Sequence, residues 1–355
     1  MDEHTHGKHL VLKSYLHAWL PIMGRYNQEL LIIDGFAGPG IYENGEPGSP
    51  LIMLDALIEH SYQALNAQKV TFYFIEKESK RLEHLKQSIA NKYESLPKNI
   101  EINFHNGTFD GSYPKLLNSI EHQNKLKAPC FAMLDPFGVS DTPMNVINKL
   151  LENPKAEVYI SFMYSFINRF KSRAEFAAPL DKLYGCDGWR KGISIEDKEE
   201  RKHFYYNLYK AQLKTSGANH VVHLDLYRKN RLIYALFFAT KHHKGSDKMK
   251  EAMWRYAPDG DFCFYGSHSK QLKLTTCNPD FEHLKKQLSE KFNDCGWISI
   301  NAIQSFVASD ETDFHTGQTK SQALKPMEKE GIIKIKDGTR KRAMTYPDGT
   351  LIKFI

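Results

Sequence analysis

The chain has 355 residues, 41% hydrophobic and 25% charged, enough to bury the cores of two domains. Its formal net charge of +6 permits a nucleic-acid partner without demanding one. The five cysteines are odd in number and form no C-x-x-C pair, which argues against a disulfide framework or a zinc knuckle and for reduced thiols in a cytoplasmic protein.

The first residues are polar and histidine-rich, with no apolar core like that of a signal peptide, and no apolar run is long enough to span a membrane. Leu10, Leu12, Tyr15, Leu16, Trp19 and Leu20 recur at helical spacing, and Pro21 and Gly24 are expected to end that helix. Leu30 to Ile33 reads as a buried strand stopping at Asp34, before a glycine-rich turn. Ser49 and Pro50 open a helix through about His60. Strands at Val70–Ile75, Ile100–His105, Cys130–Leu134 and Glu157–Met163 then alternate with helices around Leu82–Ile89, Pro114–Glu121 and Val146–Leu151. Such alternation predicts a parallel sheet with helices on both faces. The stretch from about 168 to 216 is rich in Lys, Arg and aromatics and carries no strand, a helical insertion. Val221–Arg228 and Leu232–Thr240 form an antiparallel hairpin.

The texture changes near Asn278, which divides the chain into an α/β domain, 1–278, and a small domain, 279–355. A helix over Phe281–Phe292, the segment Gly296 to Ser299, a helix over Asn301–Ala308 with Ile303 and Phe306 inward, a helix over Thr316–Glu330 and a terminal β-hairpin follow. That order predicts a winged helix-turn-helix. Residues 315–355 hold seven lysines and two arginines against two glutamates and two aspartates, a net +5. Lys320 and Lys325 fall on the expected recognition helix, and Lys334, Lys336, Arg340, Lys341 and Arg342 on the wing, where they would neutralise phosphates of DNA or RNA. A solvated face on a protein-binding module is the competing reading of the same charges.

Chemistry concentrates at four strand ends. Asp34-Gly-Phe-Ala-Gly-Pro-Gly40 follows the first strand, and glycines at 38 and 40 would let backbone pass close to a ligand. By itself such a loop is a tight turn or a dinucleotide cradle, but Phe36 with Asp34 resembles the first motif of amino-group methyltransferases. Glu76 ends the next strand, where a carboxylate can accept from both ribose hydroxyls of an adenosyl group or simply be solvated. Asn106-Gly-Thr-Phe-Asp110 follows the third strand; Asp110, then Asn106, is the candidate adenine contact, with an Asx-turn as the plainer alternative. Asp135-Pro-Phe-Gly138 ends the fourth and resembles the D/N-P-P-[YF] motif of enzymes that methylate exocyclic amino groups, more closely the DPFG form of guanine-amino tRNA methyltransferases. An amino group conjugated to a base is a poor nucleophile. Asp135 and the carbonyl of Pro136 would accept its hydrogens, and Phe137 would stack on the base. No histidine spacing suggests a metal site.

Lys8-His-Leu-Val-Leu-Lys-Ser-Tyr15, the Asp34–Gly40 loop, Gly48-Ser-Pro50, Asp135–Gly138, Asn168-Arg-Phe170, and Ala239-Thr-Lys-His242 with Gly245 and Met249 resemble the three-Cys-motif partner proteins of bacteria. The resemblance implies a Rossmann-like class I methyltransferase sheet closed by an antiparallel hairpin, a winged-helix tail, S-adenosylmethionine as cofactor, and a partner protein that carries the cysteines. It adds Lys8 and Tyr15 to the expected cofactor contacts. The expectation is an S-adenosylmethionine-dependent methyltransferase acting on a nucleic-acid amino group. A non-catalytic nucleoside-binding protein and a methyltransferase for a protein or small molecule stand as alternatives.

Overall fold

The computed structural model describes residues 3–59, 69–122, 128–228, 231–257, 263–264 and 281–355. The chain divides into two compact units, one running to Lys241 and the other beginning at His242.

In the larger unit α1 (Glu3–Tyr26) precedes β1 (Glu29–Asp34), α2 (Ser49–Ile58), β2 (Lys69–Glu76), α3 (Ser79–Lys92), β3 (Ile100–Asn106), α4 (Phe109–His122), β4 (Cys130–Leu134), α5 (Met144–Glu152) and β5 (Ala156–Phe162). The insertion supplies α6 (Tyr164–Phe170), a 3-10 turn at Ala174–Phe176, α7 (Ala177–Tyr184), a second such turn at Gly188–Ile193 and α8 (Lys198–Thr215), and the hairpin is β6 (His220–Arg228) with β7 (Arg231–Thr240). The sheet order is β3-β2-β1-β4-β5-β7-β6-β8, its last member the two-residue strand β8 (Cys263–Phe264). β1 to β5 pair in parallel, whereas β7 runs antiparallel to both β5 and β6. The hairpin turn at 229–230 lies outside the described residues.

The two faces of the sheet bury alternate residues of nearly continuous apolar strands, as a doubly covered sheet requires. On one face Phe131 packs against Tyr15 and Trp19 of α1, with ring centres 5.7 and 6.0 Å apart. On the other, Leu31, Ile33, Ala132, Leu134 and Ile160 share a core with Ile147 and Leu151 of α5, Tyr184 of α7, and Tyr205 and Tyr209 of α8. α1 does not stop at Pro21 but continues to Tyr26. An interior proline loses a helix hydrogen bond; burial of Val11, Leu12, Tyr15, Leu16, Trp19 and Leu20 holds the helix across it. Since the parallel strands share direction, Asp34, Glu76, Asn106 and the residue after Leu134 all emerge at one edge of the sheet.

The smaller unit begins with α9 (His243–Trp254), earlier than the expected boundary at Asn278, which itself lies outside the described residues. The same unit then holds α10 (Glu282–Phe292), β9 (Ile298–Ser299) and α11 (Ile300–Ala308). One further helical stretch runs through α12 (Thr316–Gln318), a π-helical turn at Thr319–Leu324 and α13 (Lys325–Lys329). β10 (Ile333–Ile335) and β11 (Leu351–Phe354) pair antiparallel, and β9 joins them in the order β10-β11-β9. The tail is thus two strands of a three-stranded sheet, separated by the loop 336–350. Ile303 is fully buried; Phe306, expected inward as well, is only half-buried against Phe292, and Val307 takes the core position.

α9 belongs to this unit through Lys250. Its ammonium is 1% exposed and donates to the carbonyls of Val307, Ser309 and Thr312 at 2.5, 2.6 and 3.1 Å, closing the C-terminal end of α11. Asp247 accepts from the backbone N–H and the hydroxyl of Thr316, both at 2.7 Å, at the start of α12. Among the described residues no helix is long and apolar enough to cross a membrane.

Candidate active site

The loop after β1 is held in a fixed shape by Glu76. Ala37 N–H donates to the Ile75 carbonyl at 2.9 Å, extending the parallel pairing beyond the strand. Gly38 N–H donates to Glu76 Oε2 and Glu78 N–H to Glu76 Oε1, both at 2.9 Å. Both carboxylate oxygens of Glu76 therefore spend one lone pair inside the protein and keep another for a ligand. Gly38 and Gly40 have φ of +64° and +81°, the left-handed region in which a Cβ is strained. A Cβ on Gly38 would meet no protein atom within 4 Å and would stand in the cleft. A Cβ on Gly40 would come within 2.7 Å of Leu85 Cδ1, so Gly40 serves packing rather than ligand approach.

Asp34 lies under this loop, fully buried, with Oδ1 accepting from Phe36 N–H at 3.0 Å. Burial pushes its carboxyl up to about 6, against the opposing pull of the Ser49 hydroxyl and the Phe36 N–H.

At the end of β4, Asp135 forms an ion pair with Lys8, whose ammonium is 3% exposed and reaches across from α1. Burial would raise the Asp135 carboxyl, but the Lys8 charge and hydrogen bond, helped by the Ser161 hydroxyl, hold it below the usual carboxylate range. The Tyr159 hydroxyl donates to the Lys8 carbonyl at 3.0 Å and fixes that turn of α1. His9 beside it is buried, and desolvation together with the Lys8 charge lowers it to about 3, so it stays neutral. The turn itself is closed by Gly138 N–H donating to Asp141 Oδ2 at 2.9 Å. Pro136 is buried, while Phe137 is 74% exposed, with the Arg81 guanidinium 5.6 Å from its ring centre.

These groups line one cleft with two compartments. One, of about 520 Å³, is bounded by Phe36, Glu76, Thr108, Asp110, Phe137 and Lys182. The other, of about 1080 Å³, is bounded by Lys8, Phe36, Gly38, Tyr42, His84 and Asp135. Phe36, Arg81 and Phe137 line both.

The structure thus gathers Lys8, Phe36, Gly38, Glu76, Asp110, Asp135 and Phe137, and leaves out Asp34, which is buried under the loop, and three further expected cofactor contacts. Tyr15 is buried beneath the sheet, its hydroxyl donating to Glu157 Oε2 at 2.6 Å. Asn106 joins two loops: its amide donates to the carbonyls of Glu76 and Lys77 at 3.0 and 3.1 Å and accepts from the Ser79 hydroxyl at 2.9 Å. Gly40 faces Leu85. Sequence reasoning missed Arg81, Tyr42, His84 and Lys182. Arg81 and His84 read as ordinary charges on a helix, and Lys182 arrives from the insertion, about which periodicity is silent.

In the smaller unit, Lys320, Lys341 and Arg342 surround a pocket of about 620 Å³ together with Thr339 and Thr345. Arg340 also borders it but is not free for a ligand. Its guanidinium makes a two-pronged pair with Glu328, which in turn accepts from the Tyr346 hydroxyl at 2.6 Å. Lys325, Lys334 and Lys336 are exposed, and Lys334 stands directly opposite Lys353 across β10 and β11.

No family model and no curated protein matches the chain. Among solved structures it is similar to Trm1 from Pyrococcus horikoshii in complex with S-adenosyl-L-methionine, at 10% identity and a TM-score of 0.37 over 70% of this chain and 58% of that one. It is also similar to protein LPL1258 from Legionella pneumophila, at 12% identity and a TM-score of 0.41 over 72% and 92%. An O-methyltransferase from Bacillus cereus in complex with SAH matches at 11% and 0.34 over 65% and 80%. The chain spans little more than half the length of the Pyrococcus protein. These likenesses are distant; the order and directions of its own strands identify the larger unit as a Rossmann-like class I methyltransferase fold.

Proposed function

We propose that the chain is an S-adenosylmethionine-dependent methyltransferase acting on an exocyclic amino group of a nucleic-acid base, and that its smaller unit is a winged helix-turn-helix that docks the nucleic acid. The observation that carries this reading is the single cleft in which Glu76 lines one compartment, the ionised Asp135 and the Gly38 loop line the other, and Phe36 and Phe137 border both. The residues fit the cofactor: Glu76 keeps acceptor capacity for ribose hydroxyls, Asp110 borders the same compartment, and Gly38 leaves open the space a side chain would fill. When bound, the cofactor supplies an electrophilic methyl group on sulfur. Asp135 and the Pro136 carbonyl accept the hydrogens of the target amine and direct its lone pair away from the ring, and Phe137 offers a face for the base. The proton that the nitrogen would give up, as its bond to the methyl group replaced the methyl–sulfur bond, would pass to the Asp135 carboxylate.

Isothermal calorimetry with S-adenosylmethionine and S-adenosylhomocysteine, and transfer of a labelled methyl group to total nucleic acid with and without a three-Cys-motif partner, test the proposal. Gly38→Val should keep the fold, at a strain of roughly 1–2 kcal/mol, and lose adenosylhomocysteine binding; unchanged affinity would remove the ligand from this loop.

One observation favours the non-catalytic alternative. Lys8 occupies one oxygen of Asp135, so only part of that carboxylate faces a substrate. The transfer assay separates the two readings.

For the smaller unit, the support is electrostatic. Like charges directly opposite on paired strands oppose folding, and Lys334 with Lys353 is such a pair. The basic pocket adds Lys320, Lys341 and Arg342. Affinity for duplex DNA or RNA should fall steeply with salt, and reversing Lys320, Lys341 and Arg342 to Glu should flatten that slope by about 3, roughly one for each phosphate no longer neutralised. A slope unaltered by the reversals, with loss of a co-purifying protein instead, would assign the unit to a protein partner.

A further inference from the structure

The Asn168-Arg-Phe170 segment lies outside both compartments of the cleft, yet it is built with care. β5 pairs in parallel with β4, Ile160 opposite Leu134, so Ser161 stands level with Asp135. α6 starts at Tyr164, and the Ser165 hydroxyl donates to the Ile233 carbonyl on β7 at 2.7 Å. The next residue, Tyr234, has its ring centre 5.5 Å from the Lys8 ammonium. The start of α6 is thereby tied to the end of the sheet where Asp135 sits.

From there the chain displays aromatics and cations on one surface. The Phe166, Phe170 and Phe176 rings pack pairwise at 4.5, 5.2 and 4.7 Å, and each is only half-buried. The guanidinium carbons of Arg169 and Arg173 each lie 5.1 Å from the Phe170 ring centre, and both arginines are exposed. Arg169 has no acidic partner among the described residues, and Arg173 meets only Glu175, at 3.6 Å across the surface. Asn168 makes the platform rigid: its Oδ1 accepts from Arg201 Nε at 2.9 Å, while Arg201 Nη1 reaches the Ile195 and Glu196 carbonyls at 2.6 and 3.1 Å.

We propose that Phe166, Phe170 and Phe176 with Arg169 and Arg173 form a docking platform for an unpaired nucleic-acid strand, on which nucleotides beside the target base stack while their phosphates meet the two guanidinium groups. Aromatic faces and planar guanidinium groups accept any base, and the charge of the surface complements phosphate. The choice of an unpaired strand rests on reading the cleft as a base-methylating centre, because a base presented to Asp135 must leave its stack.

The test uses the full chain carrying Lys341→Glu and Arg342→Glu, so that the smaller unit contributes little, with a fluorescent single-stranded oligonucleotide of mixed sequence and its duplex as probes. Arg169→Glu with Arg173→Glu should weaken single-strand binding at least tenfold and lower its salt slope by about 1.4, two phosphates at roughly 0.7 each. Phe170→Ala should weaken it roughly tenfold, a loss in the range of one stacked base, and Phe170→Trp should restore it. Duplex affinity should change far less. Single-strand affinity within twofold of the parent for both variants overturns the platform, as does equal loss of single strand and duplex. Adenosylhomocysteine calorimetry on every variant reports the integrity of the larger unit and judges the cleft separately. A parent that binds the strand but not adenosylhomocysteine keeps the platform and loses the methyltransferase reading.

Discussion

Asp135→Ala is expected to cut methyl transfer by roughly a thousandfold, in the range of removing a positioned proton acceptor, while adenosylhomocysteine affinity changes less than about fivefold. The expectation follows from where the carboxylate lies. It follows β4 and pairs with Lys8 of α1 rather than with the Gly38 loop, and Lys8 keeps it ionised at neutral pH. The alanine variant also leaves the Lys8 ammonium buried without its partner, so Asp135→Asn is the companion that preserves shape and one acceptor oxygen. Single-turnover rates and calorimetry on both variants check the claim. Parallel loss of turnover and donor affinity would make Asp135 a binding residue, and a wild-type chain that transfers nothing with its partner present would hand the site to the non-catalytic reading.

Lys250→Met should destabilise the smaller unit by about 3 kcal/mol or more, because truncating a buried charged donor leaves its partners unsatisfied. Burial lowers the Lys250 ammonium to about 8, against the pull of Asp247, Asp313 and Asp310. It is still protonated at neutral pH and holds all three carbonyls, which methionine, similar in volume, cannot do. Scanning calorimetry should show the transition of this unit moving down while adenosylhomocysteine binding to the larger unit is kept. A shift worth less than about 1 kcal/mol, the ordinary value of one hydrogen bond, would mean that the end of α11 is held some other way.

The sheet is legible in the sequence because each apolar run stops at a polar residue, at Asp34, Glu76, Asn106 and Asp135, and those stops mark one edge. The insertion is not, since Lys182 enters the cleft only through the way α7 packs. Sequence alone puts α9 in the wrong unit because Asp247 and Lys250 read as solvated charges; both are buried, and their partners lie some sixty residues onward. Tyr15 shows two kinds of sequence argument disagreeing. Resemblance makes it a cofactor contact, whereas helical spacing places it on the apolar face of α1, which is where it lies. Arg340 shows what a count of charges cannot see, since its partner Glu328 lies on another element and cancels it.

Phe137 and Arg81 border both compartments of the cleft. A ligand in either one therefore settles the same ring and the same guanidinium for the other. Coupling of this kind is reciprocal: whatever factor the methyl donor gains from a bound acceptor, the acceptor gains from the donor. An acceptor too weak to be captured alone would then be found by titrating it against the chain already saturated with adenosylhomocysteine.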